Sequence, residues 1–262
     1  MNSERIALTF GDAGENHVGN QMIGDRQANG SGFTMEDLKY LQIYFENNGL
    51  ITELIDLGKK IDGVIEAGVL VIRKYIDEEK QNNLYRDLSI LQWDSKYFDT
   101  RRQKVLNKHA RQNLVFVDNI EQSPDYQNKK GTIYDMQKIS GLKLVKSKFM
   151  KDLEEGLKES TTPNVNYICE GNRYYDLKKC GIGYHGDTER TRVICISLGA
   201  NEYPMRWIWF KSFKPITDFE EVKLNSGDMY IMSEKAVGND WKKSSILTIR
   251  HAAGANKYIG IK

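Results

Sequence analysis

Thr191-Arg192-Val193-Ile194-Cys195-Ile196-Ser197-Leu198 is a β-branched, apolar run closed by Gly199. Six more short β-rich runs surround it, over 164–170, 181–187, 206–213, 220–224, 228–233 and 245–251. Turn signals rather than long helical patterns separate them, which predicts a β-sandwich or barrel for the C-terminal part. Upstream, Ser140 is the expected cap of a helix over 141–158, with Leu142, Val145, Phe149, Leu153 and Leu157 on one face and lysines from Lys143 to Lys151 largely on the other. Further out, Thr34 followed by Asp37 resembles a capping box, and Leu38, Leu41, Tyr44 and Phe45 at helical spacing predict a helix over 34–48. Leu50 to Leu57, Val69 to Ile76 and Asn113 to Asp118 read as strands, and Ile6 to Phe10 as a short apolar run that ends in turns. The expected fold class is α+β, with a β-rich barrel flanked by helices over residues 81–262 and a small α/β accessory region over 1–80.

Composition narrows the function classes. A chain of 262 residues with 40% apolar and 28% charged residues can bury a core, which excludes collagen-like and fully disordered classes. Thirty-eight basic against thirty-six acidic residues leave too little net charge to demand nucleic acid as a partner. Three cysteines without C-x-x-C spacing support neither a disulfide framework nor a cysteine-rich zinc site. No apolar run is long enough for a membrane span, and Met1-Asn2-Ser3-Glu4-Arg5 lacks the layout of a signal peptide. The expectation is therefore a soluble intracellular protein, cytoplasmic or nuclear, with no membrane partner.

Gly183-Tyr184-His185-Gly186-Asp187 carries the sharpest chemistry. Residues two apart on a strand share a face, so the His185 imidazole and the Asp187 carboxylate converge. Together they are two thirds of a 2-His-1-carboxylate triad, which leaves positions open on iron(II). A simple hydrogen bond between the two side chains is the bland alternative.

Around this pair, Asn172-Arg173-Tyr174, His185-Gly186-Asp187, Ile196-Ser197-Leu198-Gly199, Leu224 through Gly227-Asp228-Met229-Tyr230-Ile231-Met232, and Leu247-Thr248-Ile249-Arg250 follow one another in order. This set, over about 164–254, resembles the AlkB-like Fe(II)/2-oxoglutarate-dependent dioxygenases. The resemblance implies a double-stranded β-helix, or jelly-roll, core and an oxidoreductase that hydroxylates or demethylates a modified nucleic-acid base. It also implies Fe(II) on His185 and Asp187, and 2-oxoglutarate held by Asn172, Tyr174 and Arg250. Arg250 has independent support, because a guanidinium in an apolar strand run needs an anion and its planar fork matches a carboxylate.

Two departures bear on catalysis. No histidine occurs between 186 and 250, and the family's distal histidine aligns with Trp241 or Lys243. The third metal ligand is then His251, water or a carboxylate such as Asp240, or the metal site has lapsed. If Arg250 points inward, strict alternation turns His251 outward unless a bulge re-aims it. The family's second arginine aligns with Ser244, and Lys243 beside it is the candidate cofactor-binding cation.

Arg101-Arg102-Gln103-Lys104 and Lys108-His109-Ala110-Arg111 place five basic residues in eleven positions next to Tyr97 and Phe98, a pattern suited to nucleic-acid phosphates and base stacking or to a plain solvated segment. Trp207, Trp209 and Phe210 read as core packing or as a wall for a substrate base. Two readings compete with the nucleic-acid oxygenase: a 2-oxoglutarate-dependent protein hydroxylase, and a non-catalytic binding module on the same barrel.

Overall fold

The computed structural model describes residues 3–157 and 165–261. The chain is mixed α+β and mostly sheet. β1 (Arg5–Gly11) alternates strictly, with Ile6, Leu8 and Phe10 buried on one face and Arg5, Ala7 and Thr9 on the other. β2 (Ala13–Glu15) and β3 (Met22–Gly24) pair with each other, and α1 (Met35–Asn47), β4 (Thr52–Asp56), β5 (Gly68–Ile72) and α2 (Glu78–Ser89) follow. β6 (Lys96–Asp99) and β7 (Lys104–Asn107) form a separate hairpin ahead of β8 (Gln112–Val117), β9 (Ile133–Asp135) and α3 (Ser140–Gly156). The remaining strands are β10 (Ile168–Tyr174), β11 (Gly181–His185), β12 (Val193–Gly199), β13 (Tyr203–Lys211), β14 (Lys214–Pro215), β15 (Glu220–Leu224), β16 (Met229–Met232) and β17 (Thr248–Gly254), with short helices α4 (Glu234–Val237) and α5 (Asn256–Ile259).

Eight strands form the first sheet in the order β4-β5-β16-β12-β1-β10-β8-β9. The second sheet runs β11-β17-β13-β14, with β15 also on β13. From β10 onward the chain shuttles between them: β10, β12 and β16 lie in the first sheet, and β11, β13, β15 and β17 in the second. Val69, Val71, Val193, Cys195, Tyr230 and Met232 of the first sheet meet Met205, Trp207, Trp209, Val222 and Ile249 of the second in one buried cluster, so the sheets pack face to face. Trp207 and Trp209 thus belong to the core, and the Trp209 Nε1 donates to the Leu57 carbonyl at 2.8 Å.

The expected boundary at residue 80 does not separate two units. β1 pairs with β10 on one side and β12 on the other, and β4 and β5 extend the same sheet through β16. These partners are far apart along the chain, which is why the N-terminal run read locally as an accessory.

Helices cover the outer face of the first sheet. Thr34 caps α1 as its spacing predicts, its Oγ1 accepting from the Asp37 amide while Asp37 accepts from the Thr34 amide at 2.8 Å. Leu38, Leu41 and Phe45 of α1 and Leu142, Val145, Phe149 and Leu153 of α3 enter one core with Ile6, Leu8, Phe10, Ile194 and Ile196. The end of the expected helix at 158 and the start of the expected strand at 164 lie outside the described residues. Ser140 is not the cap of α3 but its first residue. Asp87 of α2 takes the capping role instead, accepting from the Gly141 amide and the Ser140 hydroxyl, each at 3.1 Å. Lys146 also departs from the expected solvated face, since it is buried and donates to Asp118 and to the Tyr167 carbonyl, both at 2.7 Å. No helix among the described residues is long and apolar enough to cross a membrane.

Phe149 packs edge-on against Tyr167 at 5.4 Å and tilted against Phe10 at 4.8 Å. Its truncation leaves a cavity at the helix–sheet contact, so Phe149→Ala is expected to lower the unfolding free energy by about 3–5 kcal/mol, measured by urea denaturation.

Candidate metal centre and its cavity

The two sheets enclose a cavity of about 850 Å³. At one wall, the β11–β17 ladder sets His185 directly opposite His251, with the ring centroids 4.4 Å apart. The ladder carries an irregularity between Ile182 and His185, after which the chain leaves the strand and brings Asp187 back over the pair. The Asp187 amide donates to the Val237 carbonyl at 3.0 Å, fixing that return. Gly186 makes the close passage feasible, because a Cβ there would meet the Gly238 carbonyl oxygen at 2.1 Å. Gly238 is itself left-handed at φ +74°, where it ends α4. One ligand atom each from His185, Asp187 and His251 lies within 4.8 Å of the others.

The protonation pattern is legible from the hydrogen bonds. The His185 Nδ1 lies 2.8 Å from the Gly183 carbonyl and 3.0 Å from that of His251. Carbonyls only accept, so Nδ1 carries the proton and Nε2 presents a lone pair. That lone pair faces the Asp187 Oδ1 at 3.4 Å, and the His251 Nε2 stands 3.6 Å from the same oxygen. Burial pushes the His185 imidazole down to about 3, with the neighbouring His251 adding to the effect, so it is neutral at physiological pH. Burial alone would raise the Asp187 carboxyl, but the Arg190 guanidinium, with the His251 imidazole assisting, holds it below the usual carboxylate range. A carboxylate oxygen and an imidazole lone pair thus face each other with no proton between them.

Arg190 organises the charge behind this group. It is buried and meets Glu170 at 2.5 Å, Glu189 at 2.9 Å and Asp187 at 3.5 Å. Burial and the Asp187 charge push Glu189 up to about 7, so near neutral pH it exchanges a proton with solvent, while Glu170 and Asp187 also face the guanidinium. Glu170 accepts from the Asn172 Nδ2 at 3.1 Å, and the Asn172 Oδ1 accepts from the Arg111 Nε at 2.6 Å.

The predicted site residues therefore divide. His185, Asp187 and His251 come together, and Asn172 and Tyr174 line the same cavity. Arg250 does not join them. With His251 inward, alternation along β17 sends Arg250 to the opposite face, where its guanidinium lies over Phe210 at 4.2 Å, Trp241 at 5.0 Å and Phe213 at 5.6 Å. Lys243 is exposed beyond Trp241 and does not line the cavity, whereas its neighbour Lys242 does. Asp240 is held by Lys235 at 2.6 Å, away from the histidine pair. The basic segment 101–111 splits in two: Arg101 and Arg102 are exposed at the tip of the β6–β7 hairpin, while Lys108 and Arg111 turn into the cavity.

Sequence reasoning missed Arg5 and His17 as lining residues and placed Lys108 only in a basic segment, not in the cavity. Arg5 stands on the cavity face of β1, and the alternation of Ile6, Leu8 and Phe10 was the available signal. Lys108 is pushed down to about 8 by burial and donates to Asn113 and to the Asn16 carbonyl. His17 stacks on Tyr97 with centroids 3.8 Å apart, and burial with the Lys108 and Arg111 charges pushes it down to about 4. Neither the His17–Tyr97 contact nor the Lys108 orientation has a local sequence signature.

No protein-family model matches the chain. It is 41% identical over 262 residues to the uncharacterized protein R156 of Acanthamoeba polyphaga mimivirus, an alignment that covers 98% of both chains. Similarity of that extent, end to end, places the two in one family: this chain belongs to the family of mimivirus R156.

Proposed function

We propose that the chain is an Fe(II)- and 2-oxoglutarate-dependent oxygenase on a double-stranded β-helix, with His185, Asp187 and His251 as the iron ligands. The observation that carries this reading is the pair of acceptors in contact: the His185 Nε2 lone pair and the Asp187 Oδ1 at 3.4 Å, with a second imidazole nitrogen 3.6 Å from that oxygen. Such a contact is unfavourable on its own, and a cation bound by both groups relieves it. Two imidazoles and one carboxylate form the ligand set that leaves open positions on non-haem iron. The shuttling of β10 to β17 between two facing sheets supports the double-stranded β-helix.

When bound, iron would supply the oxygen chemistry that couples decarboxylation of 2-oxoglutarate, giving succinate and CO2, to insertion of the other oxygen atom into a substrate C–H bond. The chain's own residues prepare that site. The carbonyls of Gly183 and His251 fix the His185 tautomer, so that Nε2 is ready to ligate. Arg190 keeps Asp187 ionised. A modified nucleic-acid base is the favoured substrate class, as in AlkB-like enzymes. The His17–Tyr97 stack, with Lys108 and Arg111 on the same cavity, supports it by offering aromatic surface beside cations for a base and its phosphate.

Anaerobic titration with Mn(II) as a redox-silent probe is expected to show one bound ion. His185→Ala, Asp187→Ala and His251→Ala should each weaken it by about a hundredfold or more; absence of binding to the parent protein would remove the proposal. With Fe(II), 2-oxoglutarate and a methylated oligonucleotide, succinate should accumulate in step with demethylation, and peptide substrates should not replace the oligonucleotide. Gly186→Ala should weaken Mn(II) by at least about tenfold, because the added Cβ displaces the segment between two ligands. Arg250→Met should cost about 1–3 kcal/mol of stability through loss of its aromatic contacts, yet change Mn(II) affinity less than twofold.

A further inference from the structure

Arg5 presents a problem that the metal centre does not resolve. Its side chain is almost fully buried and lines the cavity. The Nη2 donates to the Ser197 hydroxyl at 2.6 Å, but Nε and Nη1 are buried with no acceptor. Among the described residues no carboxylate forms an ion pair with Arg5. The face of Tyr203, 4.4 Å from the guanidinium carbon, is its nearest electrostatic support. A buried, unpaired guanidinium is costly, and one carrying unused donors more so.

The neighbouring Tyr203 hydroxyl is likewise buried without a partner. Burial pushes it well above the ordinary phenol range, so it stays protonated and able to donate. The Arg5 Nε and Nη1 and the Tyr203 hydroxyl are thus three orphaned groups on two neighbouring side chains, the guanidinium lying over the Tyr203 ring. All three can donate, which calls for an anion. The site draws on both sheets, since Arg5 lies on β1 and Tyr203 on β13.

Distance selects the kind of anion. Trp207 pairs with His251 and Met205 with Ala253, so Tyr203 lies four positions along β13 from the level of the metal ligand. Four strand residues span about 13 Å. Side chains reaching in from both levels shorten that backbone separation, so a ligand held by both is extended and carries its charge at the end remote from the metal.

We propose that Arg5, assisted by Tyr203, is the receptor for the distal carboxylate of a short dicarboxylate co-substrate, in place of Arg250. This rests on the oxygenase reading for the identity of the ligand, but the anion site itself stands on the unpaired donors. It makes the first strand of the chain part of the binding site.

Calorimetric titrations of the full chain with 2-oxoglutarate and with pyruvate, each with and without Mn(II), test the assignment. The parent protein is expected to bind 2-oxoglutarate at least about tenfold more tightly than pyruvate, because only the former has a second carboxylate for Arg5. Arg5→Met should abolish that preference while leaving Mn(II) affinity within twofold, and Tyr203→Phe should reduce it by several fold. If Arg5→Met does not fold, Arg5→Lys, which keeps the charge but loses the planar donors, and Tyr203→Phe supply the same readout. A folded Arg5 variant that retains the full preference, or a parent protein without one, would overturn the proposal. Arg5-dependent binding without any Mn(II) uptake would keep the anion site and end the oxygenase reading. Mn(II) uptake with binding indifferent to Arg5 would do the reverse.

Discussion

The pairing of His185 with His251 across two neighbouring strands is the constraint from which the site follows. Once the β11–β17 ladder sets these residues opposite each other, their rings share one side of the second sheet. Asp187 then needs only two residues and a tight return to reach them. Gly186 and Gly238 make that return sterically possible, and Arg190 keeps the carboxylate charged once it arrives. The same pairing fixes the side of β17 on which every other residue lies, so the fate of Arg250 is decided by the position of His251.

That coupling explains why the sequence was legible at one residue and misleading at the next. Period-two alternation predicted that His185 and Asp187 converge, which the return through Gly186 achieves rather than a shared strand face, and it stated the choice at β17 correctly: one of Arg250 and His251 could face inward. Spacing could not say which. Arg250 lies over aromatic rings and donates to the Trp241 carbonyl at 3.5 Å, and Phe210, Phe213 and Trp241 surround it only after the segments that carry them have folded. The motif order of Leu247 to Arg250 suggested an inward guanidinium, whereas the guanidinium groups that line the cavity belong to Arg5, Arg111 and Arg190.

Other features were readable to the extent that they were local. The capping box at Thr34 and Asp37, the apolar stripe of α3 and the short strands after residue 164 all follow from neighbours a few positions apart. The Asp87 cap on α3, the burial of Lys146 and the His17–Tyr97 stack depend on segments brought together only by the fold. Residues 1–80 resisted interpretation for the same reason. Their strands are ordinary in isolation, and their meaning lies in the partners they meet.

The central position of β1 has a consequence for biosynthesis. Arg5 touches Ser197 across 192 positions of chain, and both edges of its strand are filled by segments made much later. As the polypeptide leaves the ribosome, this amphipathic stretch must wait, unpaired, until β10 and β12 have been made. Closing so long a loop is entropically slow, and the waiting edge is open to wrong partners in the meantime. The unpaired edges of β1 are thus open to aggregation in the nascent chain, and covering them until β10 and β12 have been made would favour productive assembly.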